Sequence, residues 1–274
     1  MMRPVLALTV LLAIACGTDE ELLPDPEGLA HDQAIAANEP SEGAAAPTGE
    51  QTTVTFLKPY TIPTSSEGMT YADSFTFYGW NADGSRYAFS SFYPGPGAAQ
   101  CEGKAQFFVV DADTDSYVKG AHTEWSYPSA EPDSESCPTP APQDRMTAAV
   151  EGLLAQHGII LGLGAEPQQL DSEDNVSFAP IVLANGTKVD IGFETGGDGW
   201  DDGAWFGLSL EANGITVDVE TGKRKRGGIL GYSPKMVFFG PGNHMAIVTE
   251  RSGIDFEGQN LSRMTNGLKM PEGW

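Results

Sequence analysis

Residues 75–118 alternate aromatic and aliphatic side chains with polar ones and are cut at short intervals by turn residues, a pattern that points to β-structure. The first run ends at Asp83-Gly84 and a second spans 86–92. A Gly/Pro loop leads to 106–110, and an acidic turn, 111–116, leads to a fourth strand at Tyr117. Asp-Gly between such runs predicts a type I′ hairpin turn, in which both central residues need positive φ.

The plan recurs twice. Residues 177–219 place strands around Asn185-Gly186, a loop at 194–204 and Asn213-Gly214. Residues 235–270 place them around a turn at 240–243, a loop at 250–260 and Asn266-Gly267. Three such copies predict a mainly β fold of repeated four-stranded antiparallel meanders, arranged as a propeller-like stack or a β-sandwich. One amphipathic helix interrupts them at 143–157. Met146, Ala149, Val150, Leu153 and Leu154 form its apolar stripe, Asp144 is its expected N-cap and Gly158 its stop. His157, at the end of that helix, reads as a solvated side chain.

The N-terminal residues carry a different signal. Arg3 precedes the unbroken apolar run 5–15, which is too short to span a bilayer and reads as a secretory leader. Small or apolar residues at 13–15 followed by Cys16 resemble a bacterial lipoprotein signal. That resemblance implies lipidation of Cys16, membrane anchorage through it, and an outer-membrane or cell-surface location. Ala13 stands where such signals carry leucine, and Gly17 is not the aspartate that retains such proteins at the inner membrane of enteric bacteria. Residues 17–51 are rich in Glu, Asp, Ala and Pro with few large apolar side chains, so they read as a disordered acidic tether. Residues 52–274 are expected to form a single mainly-β domain.

Beyond Cys16 only Cys101 and Cys137 occur, and an even pair in an exported chain predicts a disulfide rather than a catalytic thiol. The 15 Lys and Arg stand against 38 Asp and Glu, a net charge of −23, one unit more negative once a leader holding Arg3 is removed. Such a field repels nucleic acid and anionic lipid headgroups and attracts cations or basic partners.

A broader resemblance rests on residues 78–89 (YGWNADGSRYAF), the helix end 153–159 (LLAQHGI), and a C-terminal set of Gly231-Tyr232, Val237, 244–248, 256–258 and 265–268. Together these resemble a family of predicted secreted bacterial proteins of unknown function, with an FSPDG-type opening shared by propeller blades. The resemblance spans roughly residues 70–270 and implies export and a β fold. It brings no catalytic residues. Asp255 in place of glycine, and the loop 93–103 holding Cys101, depart from the family's pattern.

Three stretches could carry chemistry. Asp111, Asp113 and Asp115 have the i, i+2, i+4 spacing that opens a calcium loop, but Ser116 replaces the glycine and His122 the final glutamate; the competing reading is a plain hairpin turn. The segment 196–201, followed by Asp202 and Gly203, fits one copy of a glycine-rich calcium repeat that normally works by stacking many copies. There, Asp198, Asp201 and Asp202 lie between Trp200 and Trp205, an aromatic–carboxylate set suited to a sugar or an organic cation, or merely an acidic loop capping the sheet. The basic run 223–226 reads as a solvated turn tip. No GxSxG or HExxH pattern is present, so no catalytic residue is assigned. The sequence therefore predicts a lipid-anchored envelope domain that binds a glycan or a protein, or is structural, without catalysis. The alternatives are an exported hydrolase acting on polysaccharide or peptide, and a calcium-stabilised surface module.

Overall fold

The computed structural model describes residues 54–55, 58–67, 70–95, 101, 103–127, 137–170, 172, 177–197, 203–222, 225–255 and 258–274. All of them fall within one compact unit, Ala44–Trp274. The leader, Cys16 and the whole tether, 17–51, lie outside the described residues.

In chain order the first strands are β1 (Val54–Thr55), β2 (Tyr60–Ile62), β3 (Ser65–Glu67), β4 (Thr70–Ala72), β5 (Ser74–Asn81) and β6 (Arg86–Tyr93). Next come β7 (Lys104–Asp111), β8 (Ser116–Tyr117), β9 (Thr123–Ser126), the helix α1 (Pro142–Gln156), β10 (Ile159–Leu161) and β11 (Leu163–Gln169). The chain ends with β12 (Ile181–Val182), β13 (Lys188–Gly196), β14 (Trp205–Ala212), β15 (Ile215–Glu220), β16 (Ile229–Gly240), β17 (His244–Asp255) and β18 (Gly258–Lys269).

These form three sheets: a first of order β10-β5-β6-β7-β8, with β2 also on β5 and β9 on β7; a second, β1-β11-β16-β17-β18-β4-β3; and a third, β12-β13-β14-β15. Every pairing is antiparallel except β18 with β4. The fold is thus mainly β with one helix.

The second sheet is the centre of the molecule, and its sequence shows why. Apolar runs at 236–239 and 245–248 do not alternate with polar residues, as strands buried on both faces require. Met236, Phe238, Ala246 and Val248 pack with Phe75, Phe77, Trp80, Tyr87 and Phe89 of the first sheet. The intervening Val237, Phe239, Met245 and Ile247 pack with Ile181, Val189, Phe206, Leu208 and Leu210 of the third. Phe77 and Phe238 stack at 4.0 Å between ring centroids. The first sheet is covered on its far side by α1, whose Val150, Leu153 and Leu154 meet Tyr78, Ala88, Phe107 and Val109. The layers therefore run helix, sheet, sheet, sheet.

Several local expectations need correction. At Asp83-Gly84 only Gly84 has positive φ, so the turn is not type I′. Gly84 N–H donates to Asn81 O, and the Asp83 carboxylate accepts from both Ser85 N–H and Ser85 Oγ. Those two bonds hold the Asp83 carboxyl below its usual range. The same chemistry recurs at Asn185-Gly186, where Gly186 N–H donates to Leu183 O and Thr187 N–H to Asn185 Oδ1. Asn213-Gly214 is the two-residue turn with both φ positive. Asn266-Gly267 is no turn: both lie inside β18, opposite Ile247 and Ala246. The loop expected at 250–260 is largely strand, with Arg251 pairing Ser262 and Asp255 pairing Gly258. The helix begins at Pro142 after Ala141, with no side-chain cap, so Asp144 lies in the first turn without capping. Gly158 ends the helix in the left-handed region as expected. His157 is half-buried, and that burial lowers its pKa.

Cys101 and Cys137 form a disulfide across 36 residues of sequence. It ties the β6–β7 connection to the approach to α1.

Candidate functional site

The third sheet has one face on the core and one on solvent, and the outward phase holds an unusual set. Along β13 the outward residues are Lys188, Asp190, Gly192, Glu194 and Gly196; along β14 they are Trp205, Gly207, Ser209 and Glu211. Strand pairing sets Gly196 opposite Trp205, Glu194 opposite Gly207 and Gly192 opposite Ser209. Each pair couples a glycine with a side chain that lies across it. A Cβ on Gly196 would stand 2.6 Å from Trp205 Cζ2, one on Gly207 3.1 Å from Glu194 Cγ, and one on Gly192 2.4 Å from Ser209 Oγ. The glycines let these three side chains lie low on the sheet. A cleft of about 390 Å³ results, lined by Gly192, Glu194, Gly207, Ser209, Asp218 and Glu220, with Phe193, Leu208 and Thr221 completing it.

Trp205 borders this cleft one register step along and is half-buried, so part of its indole remains open to solvent. Its backbone carbonyl accepts from Thr195 Oγ1 at 3.0 Å. Successive outward pairs are roughly 7 Å apart, so the strip from Gly192 to Gly196 is about 14 Å long. A flat strip with an indole at one end and hydroxyl and carboxylate acceptors along it can take a ring-shaped, hydroxyl-rich ligand.

Of the expected ligand-binding residues, Trp205 is brought to this strip. Asp198, Trp200, Asp201 and Asp202 lie outside the described residues. Their connection is nevertheless rooted here: a Cβ on Gly197 would stand 2.2 Å from Gly203 O, so the two ends of that connection meet at the end of β13 and β14. Glu194, Ser209, Asp218, Glu220, Gly192 and Gly207 were not singled out by sequence reasoning, and Gly196 was noted only as the start of the calcium-repeat pattern. The available signal was glycine recurring on the polar phase of two paired strands, at 192, 196 and 207.

The Asp111, Asp113 and Asp115 carboxylates are directed to three different places. Asp111 Oδ1 accepts from Thr114 N–H and Thr114 Oγ1. Asp113 Oδ1 lies 3.0 Å from His244 Nε2, whose Nδ1 is 2.9 Å from Pro241 O. Asp115 accepts from Asn266 Nδ2 at 2.8 Å and Gly267 N–H at 2.6 Å. Burial pushes its pKa up to about 6, opposed by those two hydrogen bonds and aided by the nearby Glu220 carboxylate. Among the described residues no group of three or more His, Cys, Asp or Glu converges in a way that could hold a metal ion.

Lys223 and Arg224 lie outside the described residues, but Arg226 is not a solvated tip. It is half-buried, 3.8 Å from Glu220 Oε2, with its guanidinium 5.8 Å from the ring centroids of both Phe206 and Tyr232. It anchors the end of β15 against β16.

No protein-family model, no curated protein and no solved structure matches the chain.

Proposed function

We propose that this chain is an exported, lipid-anchored envelope protein whose β domain binds a glycan on the outward face of the third sheet, without turning it over. The observation that carries the reading is the glycine-floored strip, with Trp205 lying across Gly196 beside a cleft set with Ser209, Glu194 and Asp218. Aromatic rings offer a sugar's apolar face a packing surface, and carboxylates accept its hydroxyl hydrogens. The anchor at Cys16 and the acidic tether remain the proposed means of holding the domain off a membrane. The Cys101–Cys137 disulfide supports an oxidising compartment, since such bonds persist outside the cytosol.

The test is retention of the full chain on insoluble polysaccharides and on bacterial cell-wall material, compared with Trp205→Ala. The reading expects retention that is lost in the variant while the fold, read by circular dichroism, is kept. Equal retention of both proteins, or none, removes it.

A second reading, an exported polysaccharide hydrolase, is favoured by one observation: Glu194 and Asp218 line the same cleft. Glycosidases use a pair of carboxylates flanking the scissile bond. Release of reducing ends that ceases in both Glu194→Gln and Asp218→Asn would establish it in place of simple binding.

A further inference from the structure

Asparagine followed by glycine occurs three times in the chain, at 185–186, 213–214 and 266–267, and the fold treats the three differently. Such a pair reacts with itself in water when two conditions hold. The glycine N–H must be free to attack the asparagine side-chain carbonyl, and the asparagine amide must be free to turn toward it.

Neither condition holds at Asn185-Gly186. Gly186 N–H donates to Leu183 O at 2.8 Å, Asn185 Oδ1 accepts from Thr187 N–H at 2.9 Å, and Asn185 Nδ2 donates to Trp274 O at 3.1 Å. Neither holds at Asn266-Gly267, where Gly267 N–H and Asn266 Nδ2 both donate to Asp115. Asn266 is also only 3 % exposed, inside the β17–β18 ladder. At Asn213-Gly214 both residues are exposed, at the turn between Ala212 and Ile215. Gly214 N–H donates no hydrogen bond among the described residues, and a Cβ on Gly214 would meet nothing within 4 Å, so the approach is open. One bond alone holds the Asn213 amide, from Nδ2 to Gly273 O at 2.8 Å.

We propose that Asn213 is a site of spontaneous deamidation, singled out from the other two Asn-Gly pairs by the fold. The Gly214 nitrogen bonds to the Asn213 side-chain carbonyl carbon as that carbon's bond to Nδ2 breaks, and Nδ2 leaves as ammonia with the glycine's proton. Water then opens the cyclic imide, at the side-chain carbonyl to give aspartate or at the main-chain carbonyl to give isoaspartate. Either product puts a carboxylate, which only accepts, where a donor faced Gly273 O. Isoaspartate also adds a backbone carbon to a two-residue turn whose length sets the β14–β15 register. The modification therefore loosens Gly273 from the third sheet.

Peptide mapping by mass spectrometry tests this on the full chain aged in mildly alkaline buffer, folded and in urea. In the folded chain residue 213 should convert at least about tenfold faster than residue 185 or 266, since reaction there need not first break two hydrogen bonds. In urea the three rates should converge. Conversion at 185 or 266 as fast as at 213, or a preference for 213 that persists in urea, overturns the assignment. Hydrogen exchange at residues 271–274 should rise in the aged chain and in Asn213→Asp; unchanged exchange in both overturns the link to Gly273.

Discussion

Asp115 grips β18 through both carboxylate oxygens, one on Gly267 N–H and the other on Asn266 Nδ2. Beyond the three residues that pair with β4, β18 would otherwise present an open edge there. A turn of the first sheet thus closes the edge of the second. His244, 4 % exposed, adds a second contact from the neighbouring strand by meeting Asp113.

This grip makes stability depend on pH with a definite sign. The Asp115 pKa is raised in the folded chain, so the native state holds its proton where the unfolded chain has lost it, and stability falls as pH rises through roughly 4 to 6. Relative to Asp115→Asn, the wild-type chain should gain on the order of 2 kcal/mol between pH 7 and pH 4. Urea unfolding of both proteins at the two pH values checks this. Asn266 Oδ1 is buried without a partner in the structure, so a flipped Asn266 amide can meet an asparagine at 115. The variant should therefore fold. Parallel pH profiles would contradict the assignment.

Gly267 is glycine because the turn comes close. A Cβ there would stand 2.9 Å from both Ala112 Cα and Tyr87 Cε1. Gly267→Ala should cost about 1–3 kcal/mol, as overpacking of a filled interior does, measurable by the same urea titration.

The disulfide closes a loop of 36 residues of separation. By the chain-entropy model it contributes about 4 kcal/mol as an upper estimate. Cys101→Ser/Cys137→Ser should lower the melting midpoint by roughly 8–15 °C for a domain of this size, and a reductant should act alike on the wild type while leaving the variant unmoved.

Gly273 and Trp274 clasp the third sheet. Asn185 Nδ2 donates to Trp274 O at 3.1 Å, Asn213 Nδ2 donates to Gly273 O at 2.8 Å, and Trp274 packs against the core beneath. Removing Gly273 and Trp274 should cost about 1 kcal/mol per lost hydrogen bond in addition to the packing. It should also raise hydrogen exchange in β12–β15 more than in β5–β7.

Much of this architecture was legible in the sequence, and the misreadings share a cause. Alternation located β12–β15 because that sheet has one face on the core and one on solvent, whereas β5–β7, whose far face α1 covers, were marked by aromatic runs between turn residues. The doubly buried runs of β16 and β17 were found as strands, but their role as the central layer was not legible, since only packing shows what covers each face. Asp83-Gly84 and Asn266-Gly267 misled because the dipeptide reports a tolerance for positive φ. The competing demands, a side-chain bond to Ser85 in one case and a close approach by Ala112 in the other, come from residues that local pattern does not weigh. The spacing of Asp111, Asp113 and Asp115 was visible; that His244, Asn266 and Gly267 claim two of them was not, since those partners lie more than 120 residues away. Trp205 was readable as an aromatic beside acids, whereas the strip it borders needs the register of β13 on β14.

The most direct test is hydrogen–deuterium exchange of the full chain with and without each of two soluble glycans, cellohexaose and an N-acetylglucosamine hexamer. The account predicts protection confined to residues 190–196, 205–211 and 216–220, with the turn at 111–116 unchanged. Protection centred elsewhere, or none with any hexamer at saturating concentration, would contradict it.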